Sequence, residues 1–197
     1  MSDAPSPIER PRYLLLALIA LWCLGMHDMS DGWHSTQLIT DPLSSTLRPA
    51  GINEWQSLYF DARFDAIASH NQLILPLSIG QLMLGAMLAF ISTHALFGGR
   101  ASVAFALQVI GANALLLIFS YILWEPLRQS MVELILQADP LPKELLAAGD
   151  DAPKLLWGQF RASFGLQLTV LLASALALSR RGARDYLGRE RDNVNES

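Results

Sequence analysis

The sequence predicts an all-α, polytopic membrane protein: four transmembrane helices in an antiparallel bundle, with short amphipathic helices in the outer loops. Three observations carry that reading. Four apolar stretches, Tyr13–Met26, Leu73–Phe97, Ala101–Trp124 and Ala162–Ser179, alternate with polar, charged segments. The last three contain no Asp, Glu, Lys or Arg, and each approaches or exceeds the roughly 20 residues a helix needs to cross a hydrocarbon core about 30 Å thick. Only 16% of the 197 residues are charged, where an average soluble domain has about one-quarter.

Residues 1–12 form a polar, proline-containing tail ending in Arg10 and Arg12. The first span, about 13–29, is the shortest. Its apolar core also fits the h-region of a signal peptide. Bulky Trp22 and Met26 flank the small-x-small step Cys23-Leu24-Gly25, which favours a retained helix. The turn sequence Ser30-Asp31-Gly32 is expected to end it.

The loop at 30–72 is too long for a plain connector. Asn53-Glu54-Trp55-Gln56 resembles a capping box. Trp55, Leu58, Tyr59, Ala62, Ala66 and Ile67 then follow helical spacing. Trp55, Tyr59 and Phe60 on this helix are placed to sit at headgroup level or to meet a partner. The second span, about 73–97, carries Pro76, which should bend it, and small residues including Gly85 for close helix contact. Phe97-Gly98-Gly99-Arg100 turns tightly into the third span, about 101–124. Within the loop at 125–154, Leu127, Met131, Leu134 and Ile135 mark an amphipathic tract ended by Pro140 and Pro142. Asp151 before Pro153 is a suitable start for the last helix, whose span is about 155–179. Residues 180–197 form a basic tail.

Charge sets the orientation. Eight of the 14 Lys and Arg lie in the two tails and the second-to-third turn, all short segments, so both termini are expected in the cytoplasm, with the cell membrane a bacterial inner membrane. The two outer loops hold twelve acids against five bases. A net charge of −4 argues against nucleic acid as a partner. The single cysteine, Cys23, excludes an internal disulfide.

Four constellations are candidates for chemistry. Gln81, Asn113 and Gln167 fall at similar depth on three spans, where they either bond helix to helix or line a polar site. Arg161, near the outer end of the last span, either snorkels or holds an anionic head group. His27, Asp31 and His34 would share a helix face at i, i+4 and i+7, a donor set suited to zinc or another divalent metal. His27 and His70, at the outer ends of two spans, are the one conceivable haem pair. No Ser-His-Asp order, Walker loop, dinucleotide fingerprint, HExxH or expected pair of intramembrane carboxylates points to an enzyme.

The leading expectation is therefore a non-enzymatic membrane subunit or scaffold, with no cofactor, whose partners are lipid and other membrane chains or further copies of itself. A small transporter or lipid- or anion-binding protein, using Gln81, Asn113, Gln167 and Arg161, is the second. A redox anchor bearing haem or metal is the third.

Overall fold

The computed structural model describes residues 11–41, 53–69, 71–97 and 102–188. It is all-helical over these residues: α1 Arg12–Thr40, α2 Glu54–Ser69, α3 Asn71–Leu96, α4 Val103–Leu123, α5 Glu125–Leu136, α6 Lys143–Ala148, α7 Ala152–Ser179 and α8 Arg181–Gly188. Four of them, α1, α3, α4 and α7, are long and apolar enough to cross a membrane. Their outward surface is apolar as well, with Leu16, Phe90, Leu115, Phe119, Leu166 and Leu176 exposed. Such a surface suits contact with lipid, not water.

The first helix differs from expectation. It does not stop at Ser30-Asp31-Gly32 but continues to Thr40. The buried positions explain why: Leu14, Leu18, Leu21, Gly25, Asp28, Gly32, Ser35 and Leu38 form one unbroken stripe at the spacing of a helix packed along a neighbour. The local polar groups are absorbed by the helix itself. Thr36 Oγ1 donates to the Gly32 carbonyl at 2.8 Å and Thr40 Oγ1 to the Thr36 carbonyl at 2.9 Å. The residues assigned to the start of the first loop are therefore about three more turns of α1.

That stripe lies against α3, the most extensive helix pairing among the described residues. A Cβ built on Gly25 would stand 2.6 Å from the Ala89 amide nitrogen, one on Gly32 2.6 Å from that of Leu82, and one on Gly85 2.6 Å from that of Met29. These three glycines let the two backbones touch. The expectation that Gly85 serves close packing named one side of this contact; its counterparts Gly25 and Gly32 belong to α1.

Apolar clusters occupy both ends of the fold. One joins Leu14, Leu18 and Leu21 of α1 to Leu88, Val109, Ile110, Leu171 and Leu178, and α8 folds over it with Ala183. The others join α2, α5, α6 and the start of α7 through Ala66, Ile67, Leu127, Ile135, Leu145 and Leu156. The capping box of α2 is formed: Gln56 N donates to Asn53 Oδ1 at 2.7 Å and Asn53 N to Gln56 Oε1 at 3.1 Å. Pro153 sits in the first turn of α7.

Candidate functional site

Between the apolar ends lies a cavity of about 360 Å³. Six helices wall it. α1 contributes His27, Asp28 and Asp31, α2 Tyr59 and Arg63, and α3 Gln81. α4 contributes Asn113, Ser120 and Tyr121, α5 Arg128, and α7 Ser163 and Gln167.

Asp31 and Arg63 form the strongest polar contact in this wall. Arg63 Nη1 lies 2.7 Å from Asp31 Oδ1, and Nη2 donates to Ser35 Oγ at 2.7 Å. The planar guanidinium thus spans one helical turn of α1. Burial opposes the Arg63 charge, but the Asp31 carboxylate more than offsets it and holds the guanidinium protonated more firmly than in a free arginine. Gln81 Nε2 adds a longer bond, 3.4 Å, to Asp31 Oδ2.

Arg128 is held differently. It donates through Nη2 to the Tyr121 carbonyl, and its guanidinium lies 4.2 Å from the centre of the Tyr121 ring, a cation–π distance. That ring stacks in turn on Phe164, centroids 4.2 Å apart. Burial pulls Arg128 below the ordinary arginine value, and Tyr121 and Glu125 offset only part of that.

The three amides proposed from depth all line the cavity. Asn113 is buried and bonds the Val109 carbonyl at 2.9 Å and, across to α3, the Leu84 carbonyl at 3.4 Å. Gln167 meets Ser163 Oγ at 3.5 Å. Arg161 is exposed and is not in the lining. The helical period places Phe160, Ser163, Phe164 and Gln167 toward the cavity and turns Arg161 about 100° from Phe160.

The histidines do not converge. His27 and His34 are exposed on α1, and among the described residues no three His, Cys, Asp or Glu come close enough to hold a metal ion. The carboxylate of that set, Asp31, is engaged by Arg63. His70 lies outside the described residues. Trp55, Tyr59 and Phe60 are half-buried rather than displayed. With Arg63, Gln159, Phe160 and Ser163 they line a second cavity of about 510 Å³, and the walls of the two cavities share Tyr59, Arg63, Phe160 and Ser163.

Sequence reasoning missed Asp28, Arg63 and Arg128. Asp28 reads as a loop charge only while α1 is ended too early, and Arg63, on α2, reaches Asp31 only through the packing of α2 beside α1. Arg128 carried a readable signal: with Met131, Val132 and Ile135 it lies on the buried stripe of α5, and an arginine on an apolar stripe marks a buried role. No family model, curated protein or solved structure matches this chain.

Proposed function

We propose that this chain is a multi-pass membrane protein that binds a small polar ligand in the cavity between its spans. The observation that carries the reading is the convergence of charged and amide side chains from six helices on one cavity inside an otherwise apolar fold. Ionisable groups within spans are costly, at roughly 2.5–3.5 kcal/mol each near a helix centre, and so mark functional sites. Asp28 lies sixteen residues beyond Arg12, about 24 Å along the helix, which is within a hydrocarbon core about 30 Å thick. A volume of about 360 Å³ falls at the small end of ligand pockets.

In this reading the four spans form an antiparallel bundle in a bacterial inner membrane, both termini cytoplasmic, with α2, α5 and α6 as an outer cap. At 29 residues α1 is about 43 Å long. Spanning about 30 Å with that length would need a tilt beyond the usual 0–40°, so its last turns rise into the cap and carry Ser35 to Arg63. The scaffold reading relied on Trp55, Tyr59 and Phe60 as a docking face. Their half-buried packing against α5 and α7 supports a role in closing the cavity over one in recruiting a partner.

The test is native mass spectrometry of gently extracted protein, with thermal-shift measurements against small cations, anions and zwitterions. A bound molecule, or a ligand-dependent rise in Tm that Gln167→Leu diminishes, is the expected result. A folded protein that carries nothing and responds to no class of ligand overturns the reading.

A further inference from the structure

We infer that the ligand is a zwitterion, its ammonium group held by Asp28 and its carboxylate or phosphate by Arg128 and Trp124; the inference rests on the binding reading above. Four formally charged side chains, Asp28, Asp31, Arg63 and Arg128, wall the cavity beside the titratable His27. Asp31 and Arg63 neutralise each other. Asp28 and Arg128 remain, each only 8% exposed, and no ion pair joins either to another described residue.

Their polar atoms are incompletely satisfied. Asp28 Oδ1, Arg128 Nε and Trp124 Nε1 are buried without a hydrogen-bond partner, and all three residues line the cavity. A buried charge without a partner is strongly unfavourable. Trp124 and Arg128 are one helical turn apart, so their N–H donors come from the same side of the chain. The Tyr121 carbonyl and ring fix the Arg128 guanidinium and leave the Nε edge unengaged. The lining residues thus carry two unengaged donors on α5 and its cap residue, and one unengaged carboxylate oxygen on α1.

Electroneutrality selects the ligand class. The four charges sum to zero, so a neutral zwitterion leaves the loaded cavity neutral. A simple cation satisfies Asp28 and leaves Arg128 unpaired; a simple anion does the reverse. A single molecule bearing both groups satisfies both. Such chemistry belongs to free amino acids and to the phosphoethanolamine headgroup of a lipid.

The experiment measures binding to the full-length protein in detergent by thermal shift and calorimetry. Its probes are the proteinogenic amino acids and glycerophosphoethanolamine, whose diester phosphate carries one charge as in the lipid, with ethylamine, acetate and dimethyl phosphate as singly charged halves. A second arm compares stability in nanodiscs of phosphatidylethanolamine and phosphatidylglycerol. A free zwitterion that binds where its halves do not supports a soluble ligand; stabilisation by phosphatidylethanolamine over phosphatidylglycerol supports a headgroup. In either case D28N and R128Q should each weaken binding about thirtyfold, the low end for removing one member of a buried charged pair. D28N should now accept dimethyl phosphate or acetate, and R128Q ethylamine. D28N keeps the shape of the side chain and carries the test where R128Q fails to fold. Binding of a singly charged or neutral probe that D28N does not alter overturns the zwitterion and leaves the binding reading standing. No response of folded wild-type protein to any probe or lipid overturns both.

Discussion

Replacing Gly85 by alanine should force α1 and α3 apart. The new Cβ would stand 2.6 Å from the Met29 amide nitrogen and 2.9 Å from the Gly25 carbonyl oxygen. Ordinary contact begins at 3.4 Å, so the closest approach is short by about 0.8 Å. The opposing atoms are backbone, which no rotamer change can move aside. Opening the pair by that amount forfeits a quarter to a half of the dispersion energy of each contact it separates, and overpacking of this kind costs about 1–3 kcal/mol. Alanine recovers up to about 1 kcal/mol through its helix propensity. The net expectation for Gly85→Ala is a loss of up to about 2 kcal/mol, which is about 1–3 kcal/mol worse than the same change where the methyl meets nothing. Gly111→Ala is the matched control: it adds the same methyl to α4, where nothing lies within 4 Å, and should be neutral or slightly stabilising. Reversible unfolding in mixed micelles, followed by far-ultraviolet circular dichroism, compares the two. If Gly85→Ala proves as stable as Gly111→Ala, the backbones of α1 and α3 are not in contact and the reasoning fails.

Other expectations follow from single contacts. Arg63→Gln should destabilise by about 2–3 kcal/mol, below the full cost of breaking a buried pair because both side chains keep about a fifth of their exposure. Adding Asp31→Asn should restore part of that loss; a double-mutant cycle with no coupling refutes the pairing. Asn53→Ala removes the reciprocal cap of α2 and should cost about 1 kcal/mol, readable as faster amide exchange at the start of that helix; unchanged exchange counts against the cap. Cys23 is exposed on α1 among residues expected to face lipid. A charged maleimide should label it only after denaturation, and rapid labelling in intact vesicles would place that face in water.

Much of the fold was legible because long apolar runs have few alternatives. The four spanning helices, the Asn53–Gln56 cap and the start of α7 beside Pro153 follow from hydropathy and local chemistry. The extent of α1 does not follow from hydropathy, since Asp28, Asp31 and His34 break the apolar run. Periodicity extends further than hydropathy here: the stripe from Leu14 to Leu38 crosses Gly32 without losing phase, and Gly32 reads as a turn signal only until α3 is placed against it. The amides Gln81, Asn113 and Gln167 could be aligned by counting depth. Arg63 could not be assigned in this way, because only tertiary packing of α2 beside α1 brings it to Asp31, 32 positions earlier in the chain.

The glycine contacts between α1 and α3 also bear on movement. Two helices whose backbones touch cannot slide or rotate past one another without collision, so they act as one strut. Asp28, Asp31 and Gln81 ride on that strut, whereas Asn113, Arg128 and Gln167 belong to α4, α5 and α7; a Cβ on Gly80, the α3 glycine that faces α4, would meet only the Leu116 side chain, at 3.5 Å. Any opening of the cavity must therefore come from displacement of α2 or of the second group against the strut. A molecule bridging Asp28 and Arg128 would draw the two groups together as a clasp does, with α1–α3 as its fixed jaw.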